Sequence, residues 1–175
     1  RLGGSCLAQV YSQLGDHCPD LDDADDLLGL FSAVQGLNEN GLLLAYHDRS
    51  DGGVYTTLVE MCLAGHVGVD IECADLISDA DDLLAWLFNE ELGVVLQVKS
   101  ADSAEVLRQL SSCGLAEQSR VIGTLNTDDQ IRFTIKGEAV LTDSRTQIHR
   151  TWAHTSFRLQ AMRDNANCAQ QEYDA

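Results

Sequence analysis

The residues best suited to chemistry lie together in His47-Asp48-Arg49-Ser50-Asp51-Gly52-Gly53, which sets an imidazole, two carboxylates, a guanidinium and a hydroxyl beside two adjacent glycines. The apolar run Leu42 to Tyr46 precedes this stretch. Val54, Leu58, Met61, Cys62 and Ala64 follow it at helical spacing, which predicts strand, tight loop and helix. Glycines at such a junction permit a sharp bend and let a ligand approach bare backbone, while Ser50 or Asp51 is placed to cap the helix. Free N–H groups at a helix start attract anions, phosphate foremost. Spacing alone favours the plain cap over the anion site, since ordinary helices also begin this way. His47 beside Asp48 reads as a hydrogen-bonded pair rather than a general base.

Length and composition set the frame for that stretch. The chain has 175 residues, 45% of them hydrophobic, which fits a single domain spanning 1–175 with a real core. A net charge of −17 argues against a nucleic-acid backbone or an anionic membrane surface as partner, because both need clustered Lys and Arg. It leaves small phosphorylated ligands open, since a local helix start can bind them against the overall field. The acidic run Asp16 to Asp26 reads as a solvated loop and helix start, without the Gly-centred ligand pattern of a calcium loop.

Six scattered cysteines with no CxxC pair read as reduced thiols, several in the core; Cys62, His66 and Cys73 fall short of a four-ligand zinc site. No run of about 18 apolar residues is present. Arg1-Leu2-Gly3-Gly4-Ser5 is neither a signal peptide nor an initiator methionine, so the chain is expected to be a cytoplasmic piece excised from a longer multidomain protein.

The elements that must hold the bend follow from periodicity. Ser5 caps a short helix that stops by Gly15, and a second helix runs from about Asp23 to Gly36–Gly41. After the helix over 53–65, Val67, Val69 and Ile71 alternate as in a half-buried strand. A helix is predicted over Asp79 to Phe88, then a strand over Gly93 to Val98 apolar enough to lie centrally in a sheet. An amphipathic helix over Ser103 to Cys113 ends at Gly114. Strands over Ser119–Leu125 and Gln130–Ile135 lead through Lys136-Gly137 into a hairpin strand, Glu138 to Leu141. A closing helix over Ser144 to Arg163 carries Ile148, Trp152, Phe157, Leu159 and Met162 as a core stripe, followed by a polar tail through residues 165–167. This order predicts an α/β (α+β) fold, a mixed β-sheet covered by helices, rather than a purely parallel doubly wound sheet.

HDRSDGG, together with Phe88-Asn89-Glu90-Glu91-Leu92-Gly93, Gly3-Gly4-Ser5-Cys6-Leu7-Ala8-Gln9 and the stretch from Trp152-Ala153 to Arg163-Asp164-Asn165, resembles phosphoribosylformylglycinamidine synthase, the amidotransferase of purine biosynthesis. The resemblance is to the large single-chain form, at its second C-terminal-type domain of the aminoimidazole ribonucleotide synthetase superfamily, just before the glutaminase. It implies a glutamine-dependent carbon–nitrogen ligase that uses ATP and Mg2+ to convert formylglycinamide ribonucleotide to formylglycinamidine ribonucleotide. It also implies as partners an adjacent N-terminal-type synthetase domain, with the ligand cleft between the two, and the glutaminase domain of the same chain.

By that resemblance, Ser50, Asp51, Gly52 and Gly53 bind phosphate or ribose, and His47, Asp48 and Arg49 order the loop or face the cleft. Glu90 or Glu91 positions a cation or faces the cleft; adjacent side chains diverge, so at most one of them does so. No catalytic residue is assigned. The sequence contains neither a P-loop nor an assignable Cys-His-Glu glutaminase set, so the fragment is expected to be inactive alone and to bind no cofactor tightly. Rival readings are another superfamily member, of the selenophosphate synthetase or hydrogenase-maturation type, and an acidic interaction module without ligand chemistry. An excised domain should also expose an apolar face where its partner is missing.

Overall fold

The structure, a computed structural model, describes residues 1–74, 76, 77 and 80–174. In chain order the elements are α1 (Cys6–Val10), α2 (Ala24–Glu39), β1 (Ala45–Asp48), α3 (Gly53–Gly65), β2 (Gly68–Glu72), α4 (Ala80–Phe88) and β3 (Val94–Gln97). A short 3-10 turn (Ser100–Asp102) then leads into α5 (Ser103–Ser112), β4 (Gly123–Asn126), β5 (Gln130–Ile135), β6 (Glu138–Ser144), α6 (Arg145–Arg163) and α7 (Ala166–Asp174). Asp79, expected to open α4, lies outside the described residues. Local capping follows the sequence at three helices: Ser5 accepts from the Ala8 N–H, Asp23 from Asp25, and Ser144 from Gln147.

The fold is mixed α/β, with the strands divided between two sheets. β1 and β3 pair antiparallel, and the larger sheet has the order β4-β2-β5-β6. Within it β2 runs antiparallel to β4 and parallel to β5, so Val69 stands between Leu125 and Ile131. The alternation read from β2 puts Val69 and Ile71 on the covered face, and β5 sets Ile131 and Phe133 beside them there; each is buried.

Two apolar cores result. The first joins Val54, Leu58, Val59 and Cys62 of α3 and Leu87 of α4 to the larger sheet, and takes in Cys73. The second joins Ala33 and Leu37 of α2 to Val106 and Leu110 of α5, together with Leu115. Residues of both cores line an open groove of about 1300 Å³, which also reaches Leu96, Val121 and Leu125.

Three sequence expectations need correction. β3 is not central in a sheet: it pairs with β1, and its residues are half-buried. Its unbroken apolar run has another cause, because Val95 packs on the first core while Leu96 and Val98 pack on the second. The α6 stripe is not core, since Trp152 is 62%, Leu159 63% and Met162 82% exposed. Ile148 alone of the five packs on the first core, and Phe157 stacks on Tyr173 of α7 at a ring separation of 4.3 Å. The expected polar tail is instead helix α7, whose first N–H groups, from Asn167 and Cys168, donate to the Asn165 side chain.

The turn between β5 and β6 is tied down from β2. The Glu72 carboxylate accepts from the Ala74, Lys136 and Gly137 N–H groups and from the Thr134 hydroxyl. The Ala74 bond, then the Thr134 hydroxyl, hold its pKa below the ordinary 4.5. A carboxylate depressed on folding contributes fully above its unfolded value and loses that contribution as pH falls through the lower folded value. Protection of the residue 136 and 137 amides against hydrogen exchange should therefore fall on acidification below pH 4.5 and already be low at pH 7 in Glu72→Ala. Unchanged protection in the variant would remove Glu72 from this role.

Candidate functional site

The bend between β1 and α3 turns on two left-handed glycines, Gly52 at φ 82° and Gly53 at φ 69°. Gly52 is the helix N-cap and no side chain caps it, which corrects the expectation for Ser50 or Asp51. The Gly52 N–H donates to Glu90 Oε1 at 2.8 Å, and the Gly53 N–H to the Ser50 carbonyl at 2.9 Å. These two amides are therefore not open to a ligand. The helix start does attract an anion, and the protein supplies it as a carboxylate. Beneath the bend the buried Thr57 hydroxyl reaches the carbonyls of Asp48 and Gly53 at 3.2 and 3.0 Å.

The remaining residues of the motif hold the bend in place. His47 Nδ1 lies 2.7 Å from the Asp48 carbonyl and Nε2 lies 2.8 Å from Glu60 Oε2. Arg49 donates from Nε to the Glu91 carbonyl at 2.7 Å and from Nη2 to the Leu92 carbonyl at 2.8 Å, while its own N–H donates to the Gly93 carbonyl at 2.8 Å. The guanidinium lies flat over Gly93, where a Cβ would meet it at 3.0 Å.

Phe88 to Gly93 answers this from the other side. The Phe88 ring tilts against Tyr55 of α3 at 5.5 Å, and the Tyr55 hydroxyl donates to Asp143 of β6 at 2.8 Å. The Asn89 amide donates to the Ala85 carbonyl at 2.6 Å, and its oxygen accepts from the Glu91 N–H at 3.2 Å. Glu90 Oε1 accepts from the Cys6 N–H at 2.9 Å as well as from Gly52. Glu91 pairs with Arg1, which holds its carboxyl down at about 2. Adjacent glutamates do take different partners, yet both turn to the N-terminal segment.

HDRSDGG and FNEELG, separated in sequence, thus form one interlocked unit with residues 1–6. His47, Arg49, Glu90 and Glu91 are engaged in holding it, and Asp48 contributes its carbonyl. The side chains of Ser50 and Asp51 are exposed and make no hydrogen bond among the described residues. Glu60 and Thr57 were not legible as parts of the site, and Asn89 stood out only as a member of FNEELG. Glu60 lies thirteen residues after His47, and only the folded return of α3 beside β1 brings them together.

Among the described residues, Cys6, Asp51 and Glu90 bring potential metal-ligand atoms within 4.8 Å of one another. The set does not suit magnesium, which wants an octahedron of hard oxygens. Cys6 offers sulfur, and Oε1 of Glu90 already accepts two N–H bonds. Burial, then the Glu90 and Asp51 charges, push the Cys6 thiol up, which keeps it protonated and a poorer ligand.

The two sheets, their helices and the interlocked bend define a mixed α/β domain of the aminoimidazole ribonucleotide synthetase C-terminal kind. The chain belongs to the family described as AIR synthase related protein, C-terminal domain, which it matches over residues 1–136.

Among solved structures it is similar to PurL of Thermotoga maritima complexed with FGAR, at 17% identity and a TM-score of 0.57, covering 68% of this chain and 20% of that one. It is similar to PurLQS of the same organism at 15% identity and a TM-score of 0.63, covering 82% and 24%. A chain of the HypE-HypF complex matches at 19% identity and a TM-score of 0.55, covering 82% and 49%. These likenesses show the fold. The chain spans about a fifth to a quarter of the PurL-type chains and about half of the HypE-HypF one.

Proposed function

We propose that this chain is the second C-terminal-type domain of a large single-chain phosphoribosylformylglycinamidine synthase, and that it lends the bend over residues 50–53 to a ligand cleft completed by an N-terminal-type domain. The observation that carries the reading is the division of labour within HDRSDGG. His47 and Arg49 are bonded into the scaffold, whereas Ser50 and Asp51 stand exposed at the bend with their polar atoms available. The Ser50 hydroxyl suits a phosphate oxygen, and the Asp51 carboxylate suits ribose hydroxyls.

The Arg49 guanidinium directs its Nε and Nη2 donors to main-chain carbonyls rather than toward the exposed Ser50 and Asp51. ATP and Mg2+ would then be held chiefly by the neighbouring domain, and the fragment alone would be inactive. Apolar side chains left exposed on α2, Leu27, Leu28 and Phe31, support a missing neighbour. So do Val10, Tyr11 and Leu14 around α1. The glutaminase of the same polypeptide is the further partner of this reading. No helix among the described residues is long and apolar enough to cross a membrane.

The similarity to a chain of the HypE-HypF complex favours a second reading, a hydrogenase-maturation type of synthetase. The complete reading frame distinguishes them, because the ligase continues into a glutaminase with a nucleophilic cysteine. In that polypeptide, Asp51→Ala or Gly52→Val is expected to cut kcat/KM for ligation by roughly a hundredfold while glutamine hydrolysis survives. Wild-type ligation in both variants would remove the bend from the cleft.

A further inference from the structure

Glu90 stands where three separate segments meet. Its Oε1 accepts from Gly52 at the start of α3 and from Cys6 at the start of α1, at 2.8 and 2.9 Å. The glutamate is itself held from below. Asn89 anchors the end of α4 through the Ala85 carbonyl and receives the Glu91 N–H. Arg49 fastens the next two carbonyls, of Glu91 and Leu92, back to the bend. Gly53 packs so closely on the end of α4 that a Cβ would meet the Leu87 and Asn89 carbonyl oxygens and the Phe88 Cα at 2.5 to 2.8 Å. With this backing rigid, the Glu90 carboxylate has little freedom to follow either amide. The amides must come to it.

We infer that Glu90 is a positioning residue for ligand binding: one carboxylate oxygen fixes the Asp51–Gly52 peptide and the Ser5–Cys6 peptide to each other, and so holds the exposed Ser50 and Asp51 side chains of the bend in place for a ligand. This rests on the proposed function and adds to its site a residue that acts from outside the bend. The separation of Asp51, Cys6 and Glu90 ligand atoms by less than 4.8 Å shows how closely the two starts are drawn together. Both bonds are charge-assisted, the stronger sort of protein hydrogen bond, and the Gly52 amide follows directly on the exposed Ser50 and Asp51. Glu90 acts on the ligand only through that backbone.

The test uses the complete polypeptide that carries this chain, with formylglycinamide ribonucleotide as the varied substrate. Glu90→Ala is expected to raise its KM by about tenfold or more with kcat within about threefold, and to speed amide exchange in two peptides together, residues 3–9 and 50–56. Glu90→Gln keeps an acceptor oxygen of the same reach and should restore both readouts to within about threefold. A merely structural glutamate would lower the melting temperature and the active fraction without moving KM. Wild-type KM in Glu90→Ala, faster exchange in only one of the two peptides, or no recovery in Glu90→Gln overturns the inference. If Asp51→Ala is impaired while Glu90→Ala is not, only the positioning role falls. If both retain wild-type KM, the proposed function falls with it.

Discussion

Gly53→Ala is expected to lower the midpoint of thermal unfolding by roughly 10 °C. Two costs combine at this position. The backbone is left-handed at φ 69°, a strain of about 1–3 kcal/mol for a residue with a Cβ. The new methyl group would also lie 2.5 Å from the Leu87 carbonyl oxygen and 2.7 Å from the Phe88 Cα, both main-chain atoms that cannot rotate away. Overpacking of this kind adds about 1–3 kcal/mol, and a chain of this length loses about 2–4 °C per kcal/mol. Gly137→Ala separates the two costs, because Gly137 has φ 81° but nothing within 4 Å of its would-be Cβ. That variant should lose roughly 3 °C. Equal losses in calorimetry at the two positions would refute the steric part of the argument.

Phe133→Ala is the second large loss, about 3–5 kcal/mol in a denaturant titration. Phe133 is fully buried on β5 and stands between Ile71 of β2 and Leu141 of β6. Its ring meets Tyr55 of α3 at 5.9 Å, so truncation opens a cavity between the sheet and the helix that begins at the bend. Phe31→Ala removes the same side chain from a site that is 65% exposed and should cost no more than about 0.5 kcal/mol. A Phe133→Ala variant as stable as Phe31→Ala would place the core elsewhere.

The parts of this fold that were legible are those governed by local rules. Glycine pairs and helical spacing predict α3 over 53–65, and the helix occupies Gly53–Gly65. Ser5 and Asp23 cap the helices they precede, and β5 occupies the expected Gln130–Ile135 with its Lys136-Gly137 turn after it. The mixed character of the sheet followed from element order.

What was not legible depends on partners distant in sequence. The run over Val94 to Val98 signals two covered faces but not which neighbours cover them: Val95 packs on the first core and Leu96 and Val98 on the second, while β1 is the strand paired with it. The apolar residues of α6 look like a core stripe because periodicity reports an apolar face without saying what packs on it. α7 was missed because Ala169 is its buried residue and most of the segment around it is polar. At the bend, the motif could be located but its roles could not be assigned. Gly52 is satisfied by a glutamate from residues 88–93, so the amide that sequence alone leaves open to an anion already has one.

The parallel pairing of β2 with β5 has a consequence for the growing polypeptide. β2 ends at Glu72, whereas its two partners span Gly123–Asn126 and Gln130–Ile135, so during synthesis it waits for roughly fifty further residues before either partner leaves the ribosome. At about 5–20 residues per second that is a delay of roughly 3–10 s in which Val69 and Ile71 have only the helices α3 and α4 of their core to shield them. Nascent chains halted in this interval are expected to be the ones most dependent on chaperones.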